Sequence, residues 1–157
     1  MDSEEIRHHT IKAVIFDYGR TLYDRENGKF FPEAKSVLDY LSRKYVLAIV
    51  SIAKEDPAEE RVAALKKAGL YEYFSSLMFH ESDKGPLFED TLKKLNVKPD
   101  EIAVVDDRVK RGIAWGNKNG AITIWLRRGK FADELPDAET GKPTYVIGNL
   151  IEIKNLL

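Results

Sequence analysis

The chain has 157 residues, with 25 Lys and Arg against 26 Asp and Glu, no Cys, and a formal net charge of −1. This balance gives no overall electrostatic footprint for nucleic acid or anionic lipid. The lack of Cys excludes a disulfide scaffold, a thiolate metal site and a Cys nucleophile, and no apolar run approaches the roughly 20 residues that span a bilayer.

The N-terminal arm, residues 1–10, is charged, carries the adjacent His8 and His9, and has no apolar segment of the kind that directs secretion. A cytoplasmic protein is expected, and the two histidines read as solvated. Ile11–Phe16 reads as the first strand. A loop and flap follow over residues 18–31, where Asn27-Gly28 between Leu22-Tyr23 and Phe30-Phe31 predicts a tight hairpin. Pro32 opens a helix with Ala34, Val37, Leu38 and Leu41 on one face. Tyr45–Val50 reads as the second strand. Asp56 and Glu59 have capping-box spacing for the next helix, and Gly69 supplies its stop. Leu77–Phe79 is the third strand. Pro86 starts a helix whose apolar face carries Leu87, Phe88, Leu92 and Leu95. Ile102–Val105 is the fourth strand, and the helix after it runs from near Val109 to Asn119–Gly120. Ala121–Leu126 and Thr144–Ile147 are the last strands. Trp115 and Trp125 read as packing residues. Arg128–Pro143 reads as a long surface loop that continues the basic run Arg127-Arg128-Gly129-Lys130.

Short apolar runs without polar alternation suit a parallel sheet covered on both faces. Their alternation with helices predicts one doubly wound α/β domain over residues 1–157. Ligands of such sheets bind at the carboxyl ends of the strands. The residues expected there are Asp17, Ser51, Asp106 and Asp107, with Lys84 shortly after the third strand. Clustered carboxylates repel and need a cation, and hard oxygen ligands select Mg2+. A lysine and a hydroxyl beside them describe a phosphate pocket.

At this point the sequence resembles the haloacid dehalogenase (HAD) superfamily. Ile15-Phe16-Asp17-Tyr18-Gly19-Arg20-Thr21-Leu22 is similar to its first motif, an apolar strand followed by D-x-D-x-T-L. Ile49-Val50-Ser51 resembles the second, Lys84-Gly85-Pro86-Leu87-Phe88 the third, and Val104-Val105-Asp106-Asp107 with Gly120 the fourth. The resemblance implies a Rossmann-like core and a Mg2+-dependent phosphohydrolase. Asp17 would form an aspartyl-phosphate, and Mg2+ would be held by Asp17, the Gly19 carbonyl and Asp107, with Asp106 as a further candidate. Ser51 would donate to a phosphoryl oxygen, and Lys84 would neutralise it and keep Asp17 ionised.

Two departures stand out. Most phosphatases of the superfamily carry a second Asp, a general acid and base, where this chain has Gly19. Its loss costs about 10²–10⁴ in rate, less with a good leaving group. A further Asp often follows the fourth motif where Gly112 stands, and Asp106 is the candidate replacement. Arg20, usually a small residue, adds a cation that can contact substrate anions. Only the flap fits between the first strand and helix, so the chain reads as capless. An open site admits large phosphorylated substrates, such as a phosphoprotein, a nucleic-acid end or a glycan, unless the neighbouring subunit of a homo-oligomer closes it. The main alternative is a catalytically weak phosphate-binding or interaction module, because of Gly19. A dehalogenase shares the Asp nucleophile but needs no metal. A two-component receiver fits poorly, because only Asp17 follows the first strand.

Overall fold

The computed structural model describes residues 10–54, 56–80 and 82–157. The expectations for His8 and His9 fall outside these residues. Six strands form one parallel sheet: β1 (Ala13–Phe16), β4 (Val46–Ile52), β5 (Phe74–His80), β6 (Ile102–Asp106), β7 (Ile122–Leu126) and β8 (Tyr145–Ile147). Their order is β5-β4-β1-β6-β7-β8, which places β1 in the middle. β2 (Tyr23–Asp24) and β3 (Lys29–Phe30) form a separate two-stranded flap. The helices are α1 (Ala34–Ser42), α2 (Ala58–Lys67), α3 (Gly85–Leu95) and α4 (Ala114–Asn119), the last entered through a π-helical turn at Val109–Ile113. Among the described residues no helix is long and apolar enough to cross a membrane.

Every residue of β1 is fully buried, because helices cover both faces of the sheet. On one face Val14, Phe16, Leu47, Ile49 and Val105 meet Val37, Leu38 and Leu41 of α1. On the other, Ile15, Val50 and Val104 meet Phe88 and Leu92 of α3, and Phe88 stacks on Trp115 at 4.2 Å. The chain tail, Leu150–Asn155, closes the first core with Leu150 and Ile153.

Two local expectations need correction. The flap turn is longer than the two-residue hairpin expected from Asn27-Gly28. Asp24 pairs with Lys29 across four intervening residues, Gly28 takes φ +67° at the end, and the Asp24 carboxylate accepts from the Asn27 backbone and side chain. The capping box at Asp56 and Glu59 does not form. Pro57 is the N-cap of α2, with no side-chain cap, and Asp56 instead binds Arg61 and Arg25. A third difference is one of length: β4 and β5 extend further than read, so Ser51 lies inside a strand, opposite Phe79.

Gly116 lies where α4 packs tightly on β7. A Cβ there would stand 2.5 Å from Thr123 Cγ2 on β7. Gly116→Ala is expected to cost about 1–3 kcal/mol through overpacking, read as a lower denaturant midpoint at unchanged m-value.

Candidate active site

The parallel sheet delivers the expected residues to one end. Asp17 follows β1, Ser51 lies near the end of β4, Asp106 ends β6, Asp107 follows it, and Lys84 is the N-cap of α3. All are buried, with exposures between 1% and 8%. Ser51 Oγ donates to Asp17 Oδ1 at 2.8 Å. Lys84 Nζ bridges Asp17 Oδ1 at 3.0 Å and Asp106 Oδ2 at 2.7 Å. Oxygens of Asp17, Asp106 and Asp107 come within 4.8 Å of one another.

Each position has a local cause. The loop after β1 doubles back because Leu22 and Tyr23 both donate to the Tyr18 carbonyl, with Arg20 at φ +60°. That fold brings the Thr21 hydroxyl to Asp17 Oδ2 at 3.3 Å and Asp107 Oδ1 at 3.4 Å. The Tyr18 ring anchors the loop by stacking on Tyr23 at 5.5 Å. Asp106 is held by the backbone N–H groups of Arg108 and Gly112 at 3.0 and 2.9 Å. A Cβ on Gly112 would overlap the Asp106 carboxylate, so Asp106 fills the place of a side chain at position 112. Trp125 packs as expected and also donates from Nε1 to the Asp107 carbonyl at 3.0 Å.

The electrostatics separate the carboxylates. Burial opposes ionisation of Asp17, but the Lys84 ammonium and the Ser51 hydroxyl outweigh it and hold its carboxyl below the usual range. Burial disfavours the Lys84 charge too, yet Asp106 and Asp17 raise its pKa. Burial raises Asp106 despite Lys84. Burial and the charges of Asp17 and Asp106 push Asp107 up to about 10. Asp107 Oδ2 is buried without a hydrogen-bond partner. An orphaned carboxylate oxygen beside two other carboxylates is a donor set suited to a hard divalent cation.

Two residues were missed by the sequence reading. Thr21 lies inside the first motif, four residues after Asp17, and only the doubled-back loop shows where it points. Arg61 is 2% exposed and donates from Nη1 to Ser51 Oγ at 2.9 Å. Its signal was a cation on the inward face of α2, one turn before the buried Leu65. Because Arg61 has only hydrogens to offer, Ser51 must accept from it and turn its own proton toward Asp17. Asp56 fixes the guanidinium at 3.0 and 3.1 Å. The expected basic run divides: Arg128 pairs with Glu33 and stacks on Phe31, whereas Lys130 reaches the cleft above Asp17. Arg20 also lines that cleft and pairs with Glu26 at 3.1 Å.

The haloacid dehalogenase-like hydrolase family model matches residues 2–120. The chain belongs to this family. It is 31% identical over 131 residues to the glyceraldehyde 3-phosphate phosphatase of Pyrococcus furiosus, covering 80% of this chain and 53% of that protein. The enzyme of the same name from Methanopyrus kandleri is 27% identical over 101 residues, covering 57% and 43%. The chain thus spans about half the length of these two phosphatases. Among solved structures, the L-2-haloacid dehalogenase of Xanthobacter autotrophicus superposes with a TM-score of 0.78 at 13% identity, covering 93% of this chain and 98% of that one. A protein from Listeria monocytogenes serotype 4b gives 0.75 at 22%, covering 92% and 96%. These likenesses establish the fold of the HAD-like core.

The raised Asp107 carboxyl carries a signed expectation. A carboxyl that holds its proton more tightly when folded helps the metal-free protein at acid pH and costs more as pH climbs above 3.8. Without Mg2+, Asp107→Asn is therefore expected to melt above the wild type at pH 8, with the gap closing toward pH 4. With Mg2+ about a hundredfold above its Kd, the wild type gains about 2.7 kcal/mol, or roughly 5–10 °C in Tm, and Asp107→Asn does not. Mg2+ affinity should rise between pH 6 and 8, because binding displaces the proton. Thermal melts over a pH and Mg2+ grid check all three expectations.

Proposed function

We propose that the chain is a Mg2+-dependent phosphohydrolase that works through an aspartyl-phosphate on Asp17. The observation that carries this reading is the Asp17 carboxylate, buried and held ionised at the end of the central strand by Ser51 and Lys84. The phosphatases among the relatives support it. Asp17, Asp107 and the Gly19 carbonyl would hold Mg2+, which supplies charge neutralisation between the carboxylates and the incoming phosphoryl group. Asp106 belongs to the same acidic cluster but is engaged by Lys84, Arg108 and Gly112, so its role is to orient Lys84.

In the first step a carboxylate oxygen of Asp17 forms a bond to phosphorus, and the ester oxygen leaves with its electron pair. Lys84 and Ser51 stabilise the equatorial phosphoryl oxygens, and Arg61 keeps Ser51 oriented. In the second step water attacks phosphorus, and the Asp17 carboxylate is released. Neither step has a carboxylic acid at position 19. A Cβ on Gly19 would stand 3.3 Å from Arg25 Nε, so a guanidinium borders the place where that acid would begin. The cleft above Asp17 holds about 210 Å³, and the flap packs on the first loop through Tyr23 and Phe30 against Tyr18. A substrate with a large body outside the cleft is compatible with that opening.

This arrangement predicts unequal steps. With p-nitrophenyl phosphate the leaving group needs no acid, while water in the second step has no base. Quench-flow should show a burst of nitrophenol near one equivalent of protein, followed by turnover about 10²-fold slower or more. Asp17→Asn should abolish both phases. An Asp17-dependent burst distinguishes a slow enzyme from a phosphate-binding module, which would show neither phase while still binding phosphate. Asp17→Asn that keeps full turnover would overturn the reading.

A further inference from the structure

The cleft carries more positive charge than one phosphoryl group requires. Arg20 is paired with Glu26, Arg108 with Glu134, and Arg25 and Arg61 share the single carboxylate of Asp56. Beyond these, Lys54, Arg111 and Lys130 line the same cleft and make no ion pair among the described residues. The transferred phosphoryl group already has Ser51, which lines this cleft, and Lys84, which holds the Asp17 carboxylate at 3.0 Å. Unpaired cations at the mouth, in a cleft of about 210 Å³, fit a second anionic group a short distance from the first. Position 19 adds an independent constraint. With no acid to protonate an alkoxide, the chemistry favours a leaving group that departs as a stable anion.

We infer that the substrate is a phosphoanhydride, whose second phosphate sits among Lys54, Arg111 and Lys130 and is itself the leaving group. The inference rests on the reading of Asp17 as phosphoryl acceptor. An Asp17 oxygen bonds to the terminal phosphorus, and the P–O–P bridge breaks. The bridging oxygen keeps the electron pair and leaves on a phosphate group whose second ionisation lies near neutral pH, so it requires no proton from the protein. Water then cleaves the acyl-phosphate, yielding inorganic phosphate and one proton. The cations at the mouth do by charge what a carboxylic acid does by proton transfer.

The test compares four probes with Mg2+: pyrophosphate, ADP, fructose 1,6-bisphosphate and p-nitrophenyl phosphate. Fructose 1,6-bisphosphate has the second anion but an alkoxide leaving group; p-nitrophenyl phosphate has the good leaving group without the second anion. Pyrophosphate or ADP should exceed fructose 1,6-bisphosphate in kcat/KM by about 10², and ADP against pyrophosphate tells a nucleotide from a free diphosphate. The preferred anhydride should also have a KM about tenfold below that of p-nitrophenyl phosphate, and that ratio should collapse in Lys54→Met/Arg111→Met. Both substitutions are on the cleft rim, and a circular-dichroism melt verifies folding. Fructose 1,6-bisphosphate matching the anhydrides, or a KM ratio that survives the double substitution, overturns the inference alone. Phosphate release from p-nitrophenyl phosphate that does not depend on Asp17 overturns the phosphohydrolase reading beneath it.

Discussion

One buried ammonium set against three buried carboxylates is the constraint on which the site depends. Lys84 is 5% exposed and touches Asp17 and Asp106, leaving Asp107 with the Thr21 hydroxyl as its side-chain donor. Burying unbalanced charge is costly, and removing one partner of a buried pair costs more than the pair gains. The protein answers by dividing the work. Asp17 is kept ionised, and the surplus falls on Asp107, whose Oδ2 is buried without a hydrogen-bond partner. The sheet makes this possible, since β1, β4 and β6 lie side by side and point the same way.

Backbone groups supply what side chains do not. The π-helical turn at Val109–Ile113 brings the Gly112 N–H to Asp106, and absence of a Cβ there leaves room for the carboxylate. Arg61 acts similarly at one remove, because its hydrogen bonds go to Asp56 and Ser51 and it fixes the direction of the Ser51 hydroxyl toward Asp17. Two different substitutions relative to the family pattern, Gly19 and Gly112, thus have two different neighbours: a guanidinium in one case and a carboxylate in the other.

The strands and helices were legible because their patterns are strong. Runs such as Ala13–Phe16 and Ile102–Asp106 have no polar interruption, and the face of α1 shows helical spacing. The grouping of Asp17, Ser51, Lys84 and Asp107 was legible in the sequence because a parallel sheet puts strand ends together. Three-body relations were not legible. Asp56 looked like a cap, since local spacing cannot reveal that Arg25 and Arg61 compete for its carboxylate from different segments. The four-residue flap turn was hidden for a related reason: Asn27-Gly28 supplies the left-handed position, while the Asp24 side chain sets where the turn begins.

The central position of β1 also bears on how the molecule comes to exist. Its Ala13 lies opposite Val46 on one side and Ile102 on the other, so one flank closes a modest loop and the second must wait for a remote stretch of chain. Pairings of such wide separation are slow to form, because the entropy of closing the loop precedes any gain from contact. A nascent chain can therefore carry Asp17 beside Ser51 long before Asp107 arrives, and during that interval the cluster of three carboxylates is incomplete. The acidic cluster is complete only once β6 has joined β1.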